Sequence, residues 1–383
     1  MWQEHGYYVS VYSLHDEKRN VTISKSILGN FVRHFVAFPL FLRLLCGFIL
    51  FLGSIPRIFG LRGQGGTYAS FVRKVYFAFY CFFKTDISKK SILIATDPPG
   101  LWAASLISKK TNCPYIYFVR EMFLSDDNNN MVDRIIKHFE RKANKDALFT
   151  VEFDETRAEL IQKDNRLRPE KMRILPNTPT GEAENKRSRY LREKFNVLND
   201  KKIALYTGGI ADYNLTYECI KSTETWPDKV VLVMHCWGRN EDIKKLKEYA
   251  KLFKREIYFS TDILPFEKID IIYSSADIGF ALYGDQDLNH KYAGMSSGKM
   301  FNFMKACVPL ITNDTPSCKK AVEETGCGIC IRDISEVSKA IRKILKNENN
   351  FRLNCQKNFS TFNFEHYHNK LIKAIEHHCY LHS

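Results

Sequence analysis

The sequence predicts an α/β protein of two domains, each a parallel sheet with helices on both faces. Three observations carry this. At 383 residues the chain is longer than one ordinary domain. Apolar, strand-like runs alternate with helical stretches nearly throughout. A polar segment, "PTGEAENKRSR" at 179–189, interrupts that alternation once and reads as a linker. Strand–helix alternation implies parallel strands covered on both faces, so two such series imply two Rossmann-like domains. Ligands of these folds sit beyond the carboxyl ends of the strands, here in the expected cleft between the domains.

The first series contains "YYVSVYS" (Tyr7–Ser13), "SILIATD" (Ser91–Asp97), "PYIYFVRE" (Pro114–Glu121) and "ALFTVEF" (Ala147–Phe153) as buried strands. Helical stretches over Leu101–Lys110 and Met131–Ala143 lie between them, and "RILPNT" (Arg173–Thr178) leads into the linker. The second series has six strand-like runs: "KIALYTGG" (202–209), "VVLVMHCW" (230–237), "EIYFST" (256–261), "IGFALYG" (278–284), "VPLITND" (308–314) and "GICI" (328–331). The expected boundaries are 1–176, 177–361 and a terminal helical segment 362–383. The start, "MWQEHGYYVSVYS", reads as the end of a helix and a second strand, so the first domain is expected to lack its first strand.

Hydrophobic content of 45% and charged content of 26% describe a chain that buries a core. The formal charge of +14 calls for an anionic partner: nucleic acid, a membrane surface or phosphorylated substrates. Residues 1–75 hold nine Lys/Arg against three Asp/Glu, a net +6. The most apolar stretch, 31–59, has Arg43 near its middle, which costs about 2.5–3.5 kcal/mol in a membrane span. A span would also separate Tyr7–Ser13 from its sheet. Membrane-lying helices over about 26–84 are therefore expected, with Phe and Leu in lipid and Arg33, Arg43, Arg57 and Arg62 at headgroups. Ordinary core-facing helices are the alternative. Eleven cysteines lack metal spacing, and Cys327-x-x-Cys330 has no second pair, so buried strand cysteines in a reducing cytoplasm are expected. The N-terminus lacks the pattern of a signal peptide.

Two short stretches carry chemistry. "MSSGKMF" places Ser296, Ser297, Gly298 and Lys299 at the start of a helix. It is not a P-loop: the glycine spacing is one residue short, and Met300 stands where Ser or Thr is needed. A helix N-terminus still offers free N–H groups and partial positive charge to a phosphate. A serine cap beside a solvated lysine explains the same residues. "LYTGGI" ends the first strand of the second domain with Gly208 and Gly209, where a backbone can approach a pyrophosphate. Together the two stretches suggest a diphosphate clamp.

The succession "LYTGGIADYNLTY", "VMHCWGRNEDIKKLKEYA", "IYFSTDILPFEKIDIIYSSADIGFALY", "NHKYAGMSSGKMFNFMKACVPLITND" and "ETGCGICI" resembles the donor half of GT-B nucleotide-sugar glycosyltransferases. The likeness is nearest to the retaining family 4 and its bacterial polysaccharide and glycolipid branches. "RILPNT" is similar to that family's interdomain segment, and "FNFEHYHNKLIKAI" to its C-terminal helix, which crosses back to the first domain. The resemblance covers roughly residues 85–376 and is most specific over 202–331.

It implies a nucleoside-diphosphate sugar bound by Gly208, Gly209, Trp237, Arg239, Asn289, Ser296, Ser297, Gly298, Lys299 and Asn302. "STDILPF" (260–266), with Ile263, resembles the segment whose backbone reads the base. In the first domain it implies acceptor and sugar contacts from Asp97, Arg120 and Glu121, which end strands facing the cleft. A turn residue before Pro98 explains Asp97 equally, and an ion pair explains Arg120 and Glu121. The implied activity is a hexosyl transferase of the cytoplasmic membrane face, retaining and metal-independent, with no cofactor. It would act on a glycan or polyprenyl-diphosphate-linked acceptor.

The departures from the family pattern are specific. Gly294 and Asn302 occupy the places of the family's paired glutamates, "GGIADYNLT" lacks the basic residue expected after the glycines, and Cys307 replaces a glycine. They favour a second reading, a GT-B protein that binds nucleotide or a partner enzyme without transfer. A nucleic-acid-binding protein is disfavoured, since no reading motif accompanies the charge. A GT-B epimerase lacks its expected histidine and carboxylate pattern.

Overall fold

The computed structural model describes residues 9–14, 31–36, 65–85, 87, 91–125, 130–265 and 268–381. Contacts divide the chain into two units, 1–151 with 161–172, and 152–160 with 173–383. Residues 26–30 and 37–64 of the expected membrane-lying region are outside the described residues. Within that region Phe31–Val36, expected as helix, is a strand. This strand (β2) pairs in parallel with β1, Val9–Leu14. Its sequence, "FVRHFV", is rich in β-branched and aromatic residues, which suit a pleated strand better than a helix.

The first unit continues with helix α1 (Gly65–Lys84), strand β3 (Leu93–Thr96), helix α2 (Asp97–Thr111), strand β4 (Tyr115–Phe118), helix α3 (Met131–Asp146) and strand β5 (Thr150–Glu152). Helix α4 (Glu155–Asn165), whose residues 155–160 group with the second unit, and strand β6 (Met172–Ile174), which begins at the boundary, follow; the four-stranded sheet has the order β3-β4-β5-β6. Phe77, Ala78 and Cys81 of α1 pack on Ala103 and Ile107 of α2. Asn112, in the left-handed conformation, ends α2. Among the described residues no helix is long and apolar enough to cross a membrane.

A buried polar network holds the segment that follows β4. Lys137 Nζ lies 3.1 Å from Glu140 Oε2 and 2.5 Å from Asp164 Oδ2, and donates to the Phe123 carbonyl at 2.5 Å. Tyr117 donates to Glu140 Oε1 at 3.0 Å, and Ser125 Oγ to Asp164 Oδ1 at 2.5 Å. Burial pushes the Glu140 carboxyl up, and Lys137 opposes that shift.

The second unit is built on six parallel strands: β7 (Lys202–Gly209), β8 (Val230–Trp237), β9 (Ile257–Ser260), β10 (Ile278–Ala281), β11 (Leu310–Asn313) and β12 (Gly328–Ile331). Their order is β12-β11-β10-β7-β8-β9. Counted along the unit this is the doubly wound order 3-2-1-4-5-6, whose direction reverses between β7 and β10. The longer helices are α5 (Asn240–Ala250), α6 (Gly298–Lys305), α7 (Val337–Lys346), α8 (Glu348–Asn358) and α9 (Phe364–Leu381). Alternate residues of β7 serve the two faces: Ile203 and Leu205 join a core with Phe301, Phe303 and Met304 of α6, while Ala204 and Tyr206 join one with Ile341 and Ile344 of α7. With both faces covered, the strands must be apolar runs, as their sequences are.

Replacing Lys137 by Met removes the buried cation beside Glu140, so the carboxyl must either stay charged without it or take up a proton. We expect unfolding free energy to fall by roughly 3–5 kcal/mol in denaturant titration. A loss below about 1 kcal/mol would mean that the network is not carrying the fold of this unit.

Candidate functional site

The point where strand order reverses is where a doubly wound sheet opens a crevice at its carboxyl edge. Here β7 ends in Gly208-Gly209, and the segment after β10 begins with Leu282-Tyr283. Gly208 has φ +152, and a Cβ built on it would lie 3.7 Å from Lys299 Nζ and 3.5 Å from Tyr206 Oη. The glycine therefore leaves backbone, and not side chain, facing the lysine. Gly209 packs against the exposed Trp237, its hypothetical Cβ 3.4 Å from the indole Nε1.

Lys299, in the first turn of α6, is half-buried. Its ammonium sits 4.1 Å from the centre of the Tyr283 ring and 5.7 Å from that of Tyr206. Ring faces attract a cation, but more weakly than a carboxylate does. No acidic side chain among the described residues is within ion-pair reach of Lys299. Burial pushes its pKa down to about 8. Burial also pushes both phenols above their ordinary range, which keeps them neutral.

The loop before α6 is fixed from several sides. Ser297 caps the helix, accepting from Met300 N–H at 3.3 Å, and its hydroxyl lies 2.6 Å from that of Tyr283. Ser296 donates to the Ala293 carbonyl. Asn177 donates from its backbone to Met295 O at 2.9 Å and from Nδ2 to Ser296 O at 2.9 Å. Gly298 lies under the Asn177 amide, where a Cβ would approach Nδ2 to 3.3 Å. The N–H groups of Gly298 and Lys299 have no acceptor within the helix. An ammonium without a counter-ion thus faces the end of β7 and the Tyr283 ring, and it is carried on the first turn of a helix whose N-terminal amides are free, an arrangement suited to an anion.

The other expected donor residues divide. Trp237 and Ile263 are exposed, at 59% and 99%. Asn289 lies in the short helix Leu288–Lys291, and Asn302 in α6 meets the Tyr273 hydroxyl. Arg239 is exposed and donates to Asp242 at 2.7 and 3.0 Å. Next to Asn289, the His290 ring packs at a tilt against that of Tyr213, centroids 4.1 Å apart, and its Nδ1 lies 2.6 Å from Asp287 Oδ2. In the expected base-reading segment, His235 Nδ1 is 3.0 Å from Ser260 Oγ, and Asp262 holds Tyr190 and Lys194; Phe266 lies outside the described residues.

In the first unit Asp97 (φ +55) opens α2. Its Oδ1 accepts from the backbone N–H of Arg120 at 3.0 Å and of Glu121 at 3.2 Å. The three expected residues are thus together at the ends of β3 and β4, joined through backbone and not through an Arg–Glu ion pair. Among the described residues no group of three His, Cys, Asp or Glu side chains gathers to hold a metal ion. Cys327 is buried, and Cys330 is half-buried on β12.

Sequence reading missed Tyr206, Tyr283 and Asn177. Tyr206 and Tyr283 carry a signal that could have been used, since Tyr206 lies two residues before Gly208 in β7 and Tyr283 two residues after β10, the strands on either side of the reversal point. Asn177 carries none, because its partner is 119 residues away.

No protein-family model matches the sequence, and no curated protein matches it. Solved structures do match in fold. An α,α-trehalose-phosphate synthase (UDP-forming) from Burkholderia xenovorans, solved with glucose-6-phosphate, superposes with TM-score 0.67 at 9% identity, covering 91% of this chain and 87% of that one. The sucrose-phosphate synthase of Thermosynechococcus elongatus gives 0.64 at 13% identity, covering 100% and 91%. The Anabaena HepE protein in complex with UDP-glucose gives 0.58 at 12% identity, covering 74% and 78%. At these identities the likeness is one of fold: the chain has the GT-B architecture of two Rossmann-like α/β domains.

The lowered pKa of Lys299 gives a signed prediction. Between about pH 8 and the unfolded value near 10.5 the unfolded chain binds more protons than the folded one, so stability rises with pH through that window. The gain should reach at most about 2–3 kcal/mol and be absent in Lys299→Met. Chemical denaturation at pH 7.5, 9 and 10.5 tests it.

Proposed function

We propose that the chain is a glycosyltransferase that moves a sugar from a nucleoside-diphosphate donor, and that Lys299 with the Gly298 and Lys299 amides binds the diphosphate. One observation carries this reading: the Lys299 ammonium faces Gly208 at the reversal point of the second sheet, with phenol rings and no carboxylate around it. A cation left without a counter-ion in a crevice is stabilised by an anionic ligand, and lifting its pKa back adds to affinity. The UDP-glucose of the Anabaena structure supports a nucleotide sugar as that ligand.

The finer reading follows the retaining family 4. Trp237, Ile263 and the 260–266 backbone would flank the base, and Asn289 and Asn302 the ribose and sugar. Asp97 holds the Arg120–Glu121 segment at the acceptor side, where an acidic or basic group can steady developing charge. Lysine and amides supply the positive charge of the donor site, so the reaction needs no metal. The acceptor we propose is a glycan or polyprenyl-diphosphate-linked glycan in surface polysaccharide synthesis, met at the cytoplasmic membrane face. The net +6 of residues 1–75 and the exposed Phe79 and Phe83 of α1 support that contact. Binding without transfer is the second reading, favoured by the absence of carboxylates at positions 294 and 302.

Thermal unfolding with UDP, GDP, ADP and CDP in turn tests the donor site. A diphosphate at about 100 times its Kd should add about 2.7 kcal/mol of stability. Lys299→Ala should abolish the effect, and Gly208→Val should weaken it by placing a side chain against the ammonium. Affinity should also weaken above pH 8 as the lysine loses its proton. No stabilisation of folded protein by any of the four would refute the donor site. Stabilisation without hydrolysis or transfer from any sugar nucleotide would select the second reading.

A further inference from the structure

We propose that Asp154 is a positioning residue for the anion-binding loop, acting on it across the sequence from the start of α4. This deepens the donor-site reading and rests on it.

Asp154 is fully buried, and both its oxygens are used. Oδ1 accepts from Arg157 N–H at 2.9 Å, which starts α4. Oδ2 accepts from Met295 N–H at 3.2 Å, a bond between residues 141 apart. The amide it holds lies directly before Ser296-Ser297-Gly298-Lys299. The neighbouring Gly294 has φ +40, and a Cβ there would lie 2.6 Å from Asp154 Oδ2 and 2.7 Å from Ser317 Cβ. Only glycine both adopts that backbone and lets the carboxylate come so close.

The surrounding contacts keep Asp154 in place. Arg157 Nε lies 2.9 Å from Glu152 Oε2, with both side chains buried. Ser317 Oγ donates to Thr156 at 3.3 Å, and Lys320 pairs with Glu155 at 2.7 Å. Residues 152–157 therefore form a rigid seat for the loop. Three hydrogen bonds fix its backbone: Asp154 accepts from the Met295 N–H, and Asn177 donates to the Met295 and Ser296 carbonyls.

The seat decides which amides remain for a ligand. With Met295 N–H taken by Asp154, the chain turns so that Ser297 caps α6 and the Gly298 and Lys299 amides point from its first turn. Without Asp154 the buried Met295 N–H has lost its acceptor, and the loop must turn outward to find water. The anion would then meet an unprepared set of donors.

The test uses the full chain with Asp154→Asn and Asp154→Ala. Asparagine keeps the shape and one acceptor oxygen, so it supplies a folded variant if alanine does not. Calorimetric titration with UDP, GDP, ADP and CDP finds the diphosphate that wild type binds. Its Kd should rise about threefold to tenfold in Asp154→Asn and further in Asp154→Ala. Amides of residues 290–300 should exchange faster with deuterium, while α7 exchanges as in wild type. A merely structural role would instead speed exchange in α7 as well and leave the Kd of the folded fraction unchanged. An unchanged Kd in folded Asp154→Asn overturns the role and leaves the donor site standing. If wild type binds none of the four, the donor-site reading falls and this role falls with it.

Discussion

A lysine ammonium lodged against two phenol rings, with no carboxylate to neutralise it, is the constraint on which the second unit's site depends. Desolvating a cation is costly, and ring faces return only part of that cost. The fold tolerates it because Lys299 also sits where the sheet reverses direction, at an edge open to solvent. Tyr206 reaches it from β7, and Tyr283 from the segment after β10. The Tyr283–Ser297 contact at 2.6 Å ties the same ring to the cap of the helix that carries the lysine. A cation prepared in this way is worth most to an anion, whose binding restores what burial removed.

Three aspartates hold backbone N–H groups. Asp277 is buried, accepts from Ile203 N–H at 2.8 Å, and is surrounded by Arg187, Arg192 and Lys202. Asp154 holds Met295 and the start of α4. Asp97 collects two consecutive amides after β4. In each case a carboxylate satisfies N–H groups that would otherwise be orphaned, a use in which charge gives stronger and shorter bonds than a neutral group does. The chain's +14 excess is therefore not spread evenly over its chemistry.

The first unit applies the same device to the segment Val119–Ser125. Asp97 holds its first amides, Lys137 the Phe123 carbonyl, and Asp164 the Ser125 hydroxyl. A segment pinned at three points presents Arg120 and Glu121 from a fixed backbone while their side chains remain exposed. Preorganisation of this kind reduces the ordering cost of binding.

The sequence by itself determined the architecture and singled out the two stretches, Gly208-Gly209 and Ser296–Lys299, that the structure brings together. Buried parallel strands must be apolar runs, so β7, β8 and β12 could be delimited from "KIALYTGG", "VVLVMHCW" and "GICI" alone. Glycine pairs and a serine before a lysine mark backbone close to a ligand because those residues leave room for one. That 31–36 is a strand was only partly legible: "FVRHFV" is β-branched and aromatic but leads directly into a long apolar run, and pairing with Val9–Leu14 decides. Composition could not show that Arg239 is held by Asp242, that tyrosines surround Lys299, or that Asp154 and Asn177 seat its loop. Those facts join residues up to 141 positions apart. Local propensity carries no record of such distances. The sheet order brings the residues together, and tertiary packing then sets which hydrogen bonds they make.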